Sequence, residues 1–83
     1  MGVMERRKRA KEALRQEILK AAREIFVKGG YDALSMRRVA EKIEYSPTTI
    51  YLYFEDKADL VYSICQETFA KLHRELEKAV AEL

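Results

Sequence analysis

Two helix-start signals stand close together in the middle of the chain, and they confine what lies between and after them to short elements. Ser35 precedes Met36-Arg37-Arg38-Val39-Ala40, and Ser46 precedes Pro47-Thr48-Thr49-Ile50. A serine just ahead of a helix accepts a hydrogen bond from a free amide of the first turn. A proline just behind that serine does no harm, because the first helical N–H has no partner to lose. The spacing predicts a helix over about Met36–Ile43, a turn at Glu44-Tyr45-Ser46, and a second helix over about Pro47–Phe54. Val39, Ala40 and Ile43 face inward from the first, and Ile50 and Phe54, four apart, anchor the second. Arg37, Arg38, Glu41 and Lys42 face outward. The second helix opens with the hydroxyls of Thr48 and Thr49 and closes with Tyr51 and Tyr53. It is too polar at its start for a core and too aromatic at its end for plain surface. A helix built this way fits a groove in nucleic acid, where small donors reach base edges and tyrosines flank them on phosphates.

The rest of the chain reads as helix too. One proline and three glycines among 83 residues leave little room for sheet turns. Leu14, Ile18, Ala21, Ala22, Ile25 and Phe26 recur at three- and four-residue steps and predict an amphipathic helix over about Lys11–Lys28. Gly29-Gly30 stops it, and Tyr31 can fold back on its last turn. A final helix starts after Asp56, with Asp59 in its first turn; both acids suit the positive helix end. Its stripe is long: Leu60, Val61, Ile64, Cys65, Thr68, Phe69, Leu72, Leu76, Val80 and Leu83. From Lys57 to Leu83 it would span about 40 Å. Three short elements cannot cover that, so the stripe beyond about Leu72 calls for a partner, either a further domain or a second copy of the chain. The expected organisation is a basic lead-in over 1–10, frayed at its start, a helical head over 11–56, and a long helix over 57–83.

Charge follows the same division. Residues 1–57 hold 13 Lys/Arg against 9 Asp/Glu, whereas residues 58–83 hold 3 against 5. The positive part therefore coincides with the candidate groove reader, as steering toward phosphate requires. No apolar run reaches membrane-spanning length and no signal-peptide pattern opens the chain. The single cysteine offers neither a disulfide nor a metal site and suits a reducing cytoplasm. Cys65 and the methionines are expected to pack inside, and His73 to lie on a helix surface. No glycine-rich phosphate loop, nucleophile–base pair or metal constellation supports an enzyme, and no cofactor is expected.

The stretch Leu34–Leu60 (LSMRRVAEKIEYSPTTIYLYFEDKADL) resembles the N-terminal DNA-binding domain of TetR/AcrR-type bacterial transcriptional regulators. The likeness is carried by Ser35, Arg37-x-Val39-Ala40, Ser46, Ile50-Tyr51-x-Tyr53-Phe54 and Lys57-x-x-Leu60. Upstream, Ile18-x-x-Ala21-Ala22-x-x-x-Phe26 and Gly30-Tyr31 also match, so the resemblance runs from about Gln16 to Thr68. It implies an all-α fold, a three-helix, homeodomain-like helix-turn-helix head followed by a long fourth helix. It implies a repressor that works as a homodimer on a palindromic operator in double-stranded DNA, with the third helix in the major groove. A larger C-terminal domain, absent from this chain, would bind a small-molecule effector and supply most of the dimer contact.

By position, the resemblance assigns Arg37 to bases reached from the second helix, and Pro47, Thr48 and Thr49 to the base-facing start of the third. Tyr51 falls where backbone and some bases are touched, and Leu52, Tyr53 and Lys57 fall at backbone contacts. Two departures stand out. Glu44 occupies a turn position where the family usually has glycine, and Thr48 one where glycine or another small residue is frequent. Lys57 and the first amides of the fourth helix are expected to offer one positive pocket for a phosphate. The competing reading is a small helical protein–protein interaction module built around the long helix. That reading has no use for Arg37, the hydroxyl-rich helix start or the basic N-terminal half.

Overall fold

The computed structural model of the chain describes the backbone of residues 3–83 and the side chains from Met4 onward. Four α-helices follow one another: α1 (Val3–Gly29), α2 (Met36–Lys42), α3 (Pro47–Tyr51) and α4 (Lys57–Ala81), with a single 3-10 turn, Tyr31–Ala33, between α1 and α2. No strand occurs among the described residues. The molecule is a slab of 48 × 42 × 18 Å.

The core is where the four helices meet. Ile18, Leu19, Ala21 and Ala22 come from α1, Met36, Val39 and Ala40 from α2, Ile50 from α3, and Leu60 and Ile64 from α4, with Leu34 and Phe54 from the connections. Ile18, Val39, Ala40, Ile50 and Leu60 are wholly inaccessible. Each large aliphatic among them contributes about 1.5–3 kcal/mol relative to exposure. Ala22 and Ala40, also sealed off, carry no bulk to hold neighbouring backbones apart. Leu19 and Leu34 are equally buried although the periodic pattern does not mark them.

Several boundaries differ from the sequence-based ones. α1 begins at Val3, not Lys11. The basic lead-in, Met1 and Gly2 lying outside the described residues, continues the helix because it holds no breaker. Met, Glu, Arg, Lys and Ala are all good helix formers, and Arg9 meets Glu5 one turn away at 3.5 Å. α3 ends at Tyr51, so Leu52 and Tyr53 lie on the following turn. There the Ile50 carbonyl accepts both the Tyr53 and Phe54 amides at 3.0 Å, drawing Phe54 into the core. Cys65, expected inside, is exposed, as is Met4; of the described methionines only Met36 packs in the core. α4 buries Leu60, Ser63 and Ile64 against the head, and a phase set by those three turns Cys65 outward.

The α2–α3 turn is a Schellman motif. The Tyr45 amide reaches back to the Ala40 carbonyl at 2.9 Å and the Glu44 amide to Glu41 at 3.2 Å. These are the 6→1 and 5→2 bonds that close a helix through a left-handed residue. That residue is Glu44, with φ 61°, the one non-glycine of positive φ among the described residues. At the end of α1, Gly30 has φ 79°, and a Cβ on Gly29 would collide with the Ala33 side chain. Both glycines are required for the chain to double back so tightly.

The caps are unequal. Ser35 Oγ accepts the Arg38 amide at 3.0 Å and Asp56 accepts the Asp59 amide at 2.8 Å. Ser46 holds the N-cap position of α3 but makes no cap bond; its hydroxyl lies 3.3 Å from that of Thr49. Pro47 at the first helical position takes over the work of starting the helix by fixing φ.

Two stability measurements follow. Glu44→Gly relieves left-handed strain of about 1 kcal/mol, part of it returned as unfolded-state freedom. The melting temperature should rise by roughly 2–8 °C; an unchanged or lower value would show the turn to be unstrained. Ser35→Ala should cost about 1 kcal/mol in urea unfolding and Ser46→Ala less than about half that. Equal losses would contradict the difference in capping.

Candidate nucleic-acid interface

A helix of five residues has too few internal hydrogen bonds to persist alone, so the position of α3 is dictated by what holds its two ends. Pro47 and the Schellman turn fix the entry, and Ile50, its one buried residue, roots it in the core. Everything else on α3 points to solvent or to the rim. Pro47 and Thr48 are exposed, Thr49 is half-buried, and Tyr51 keeps about half of its surface accessible. Leu52, just past the helix, is 76% exposed. Tyr53 is half-buried and packs its ring against the core.

α2 packs directly against α3 and presents two arginines with different commitments. The Arg38 guanidinium donates to the Ala33 carbonyl at 3.1 Å, tying the 3-10 turn to α2. Arg37 is exposed and forms no ion pair or hydrogen bond among the described residues, so its five N–H donors are available for an outside acceptor. Lys42, at the other end of α2, pairs with Glu24 of α1 at 3.3 Å. Of the three basic residues on α2, Arg37 alone is uncommitted.

The start of α4 differs from expectation. Asp56 takes the Asp59 amide, and Asp59 in turn accepts the Glu55 amide at 2.9 Å. Two carboxylates therefore occupy the helix end where a phosphate pocket made of backbone amides is expected. They satisfy the helix dipole from within the chain. What remains for an anion is Lys57, half-buried, with its ammonium 3.9 Å from the centre of the Tyr31 ring. Neither the Tyr31 contact nor the Arg38 clamp on Ala33 is legible in the sequence. Tyr31 and Lys57 are far apart in the chain, and no local pattern announces their contact.

Behind the reader, Arg15 of α1 lies over the Phe54 ring at 5.3 Å and reaches Glu67 of α4 at 3.8 Å, while Gln16 donates to the same Glu67 at 3.0 Å. These contacts bind α1 and α4 to the end of the reader turn. His73 is exposed and meets Glu77 at 3.0 Å. Among the described residues no cluster of His, Cys, Asp or Glu could hold a metal ion, and no helix is long and apolar enough to cross a membrane.

Comparison with known proteins agrees with this geometry. The family described as bacterial regulatory proteins, tetR family, matches residues 18–64, from the core face of α1 through the buried start of α4. The transcriptional repressor KstR of Mycolicibacterium smegmatis is 36% identical over 70 residues, 84% of this chain and 34% of its own length. An HTH-type transcriptional regulator of Staphylococcus aureus is 40% identical over 60 residues, 72% of this chain and 32% of its own. Among solved structures, the fatty acid degradation regulator FadR from Bacillus halodurans superposes with a TM-score of 0.75 at 26% identity, over 83% of this chain and 36% of that one. A TetR-family regulator from Haemophilus influenzae superposes at 0.72 with 32% identity, over 83% and 38%. The chain thus spans about a third of the length of these relatives. The relatives are transcriptional regulators, not enzymes. With the match covering more than half of the chain, from Ile18 in α1 through α2 and α3 to Ile64 in α4, this chain belongs to the tetR family of bacterial regulatory proteins.

Proposed function

We propose that this chain is the DNA-reading module of a transcriptional repressor and that α3 enters the major groove of its operator. The observation that carries this reading is the set of exposed side chains on one short, rooted element. Pro47, Thr48 and Tyr51 stand in solvent around a helix whose buried residue is Ile50, with the uncommitted Arg37 on the adjoining α2. A groove-reading helix needs that combination of a fixed root and an unpaired, donor-rich front.

The residues divide by chemistry. Arg37 can span the O6 and N7 of a guanine with two N–H donors, and the methyls of Thr48 and Thr49 can pack on a thymine methyl. Pro47 sets the angle at which they arrive. Tyr51, Tyr53 and Lys57 bind phosphates and fix the register, and Leu52 packs against the sugar–phosphate wall. The surplus of Lys and Arg before α4 steers the module toward the duplex.

The module works in a cytoplasmic homodimer, two copies reading the half-sites of a palindrome about 34 Å apart. The exposed Phe69, Leu72, Leu76, Val80 and Leu83 of α4 are the seat of the C-terminal effector and dimerisation domain. The length of the relatives, about three times that of this chain, supports that placement. The same stripe favours the second reading, an interaction module without DNA. A salt-dependent gel shift on bulk duplex DNA separates the two.

Selection of bound duplexes from random DNA, with two copies tethered, yields both the half-site and its spacing. On the selected site Arg37→Ala should cost about 1–3 kcal/mol and relax preference at one base pair. Lys57→Ala should weaken all sequences alike and lower the salt slope by about one. If both variants weakened every sequence equally, this division of roles would be wrong.

A further inference from the structure

We propose that Tyr31 is a positioning residue for DNA binding, its ring holding the Lys57 ammonium at the place where a phosphate is met. The proposal rests on the DNA-binding reading above, and it assigns a task to the 3-10 turn.

The turn is built to hold that ring still. Gly29 has no Cβ, so Ala33 closes to where a side chain on Gly29 would stand. Gly30 takes φ 79°, and its carbonyl accepts the Ala33 amide at 3.2 Å. The Tyr31 carbonyl accepts the Leu34 amide at 3.2 Å, and Leu34 is buried. Arg38 then clamps the Ala33 carbonyl at 3.1 Å from α2. A stretch of three residues is thus pinned by α1, by the core and by α2. The ring it carries is half in solvent, at 51% exposure, so burial of its own surface does not account for the arrangement.

What the ring meets is Lys57, with Nζ 3.9 Å from its centre. This is within cation–π range. A lysine side chain otherwise samples many rotamers and loses that freedom on binding. Against the ring the loss is incurred during folding, and the ammonium still has N–H donors directed away from the ring for an acceptor. Asp56 and Asp59 stand at the start of the same helix. Both carboxylates are engaged with backbone amides and stand one and two residues from Lys57, positions that do not face it, so neither holds the ammonium. Tyr31 offers the cation its resting place.

The test is a double-mutant cycle on the 83-residue chain with a labelled random-sequence duplex, read by fluorescence anisotropy at several salt concentrations. Tyr31→Leu should weaken binding about two- to fivefold, the range an exposed cation–π contact supplies, and should have no further effect once Lys57→Ala is present. Tyr31→Phe and Tyr31→Trp should bind like the parent. Pentafluorophenylalanine in place of Tyr31 keeps the shape of the ring but reverses its charge distribution, and should behave like Tyr31→Leu. It also keeps the test intact where Tyr31→Leu lowers stability. Equal losses from Tyr31→Leu with and without Lys57→Ala would overturn the proposal. So would a Tyr31→Phe variant as weak as Tyr31→Leu, which would mean that the hydroxyl touches DNA itself. Failure of the parent chain to bind any duplex would overturn the DNA-binding reading and the positioning role together. In that case the ring-current shift of the Lys57 ε-protons, lost in Tyr31→Leu, would still report the contact.

Discussion

The working face of this molecule depends on Ile50. α3 has five residues, fewer than two turns, and no sequence of that length forms a persistent helix in water. Its permanence comes from an inaccessible aliphatic side chain that belongs to the same buried cluster as Ile18, Val39 and Leu60. Phe54, four residues on and 2% exposed, gives the second point of attachment. One lies inside α3 and the other in the connection just past it, so the element is fixed at two points. Those two points decide which residues face out. Thr48, Tyr51 and Leu52 are exposed because Ile50 and Phe54 are not.

The entry to α3 is held by geometry more than by affinity. Ser46 gives no cap bond, and the residue that reverses the chain, Glu44, is left-handed against its own steric preference. Local strain of this kind persists where the surroundings over-determine it. Here the Ala40 and Glu41 carbonyls on one side and the fixed φ of Pro47 on the other leave no alternative path. The other helix starts are conventional by contrast. Ser35 and Asp56 each satisfy an amide three residues on, and these are the starts that set α2 and α4. The weakest local signal thus lies next to the functional element, and tertiary packing takes its place.

Much of this is legible in the sequence because the deciding features are local. The caps at Ser35 and Asp56, the stop at Gly29-Gly30, the proline at the head of α3 and the inward set Val39, Ala40, Ile50 and Phe54 all declare themselves within a few residues. The left-handed turn is foreshadowed by the resemblance alone, which expects glycine where Glu44 stands. The misreadings have physical causes of the same order. The want of an apolar period places the start of the first helix at Lys11, yet the lead-in consists of helix formers and Arg9 meets Glu5 one turn away, so α1 already runs from Val3. Apolar character suggests burial of Cys65, yet phase along α4 is set by Leu60 and Ile64, and Cys65 falls on the exposed side. The Tyr31–Lys57 contact and the Arg38 clamp on Ala33 are beyond the reach of local pattern. They join separate elements, and only the folded chain brings them together.

α4 shows how one regular element can belong to two environments. Its first two turns share the core of the head, with Leu60, Ser63 and Ile64 shielded from water. At Thr68 the hydroxyl turns back to the Ile64 carbonyl at 2.9 Å, and Glu67 makes the last ties to α1 through Gln16 and Arg15. Those ties are partly solvated and contribute little, since exposed ion pairs are worth less than about 1 kcal/mol. Beyond them Phe69, Leu72, Leu76, Val80 and Leu83 are more than half exposed, and the segment is held by contacts within the helix itself, its backbone hydrogen bonds and the His73–Glu77 contact. A helix end without tertiary contacts is the least stable part of a small domain. The orientation of the reading head is therefore independent of this segment, because every residue that roots α3 lies before it. The segment itself gains stability in proportion to the apolar surface that another element covers.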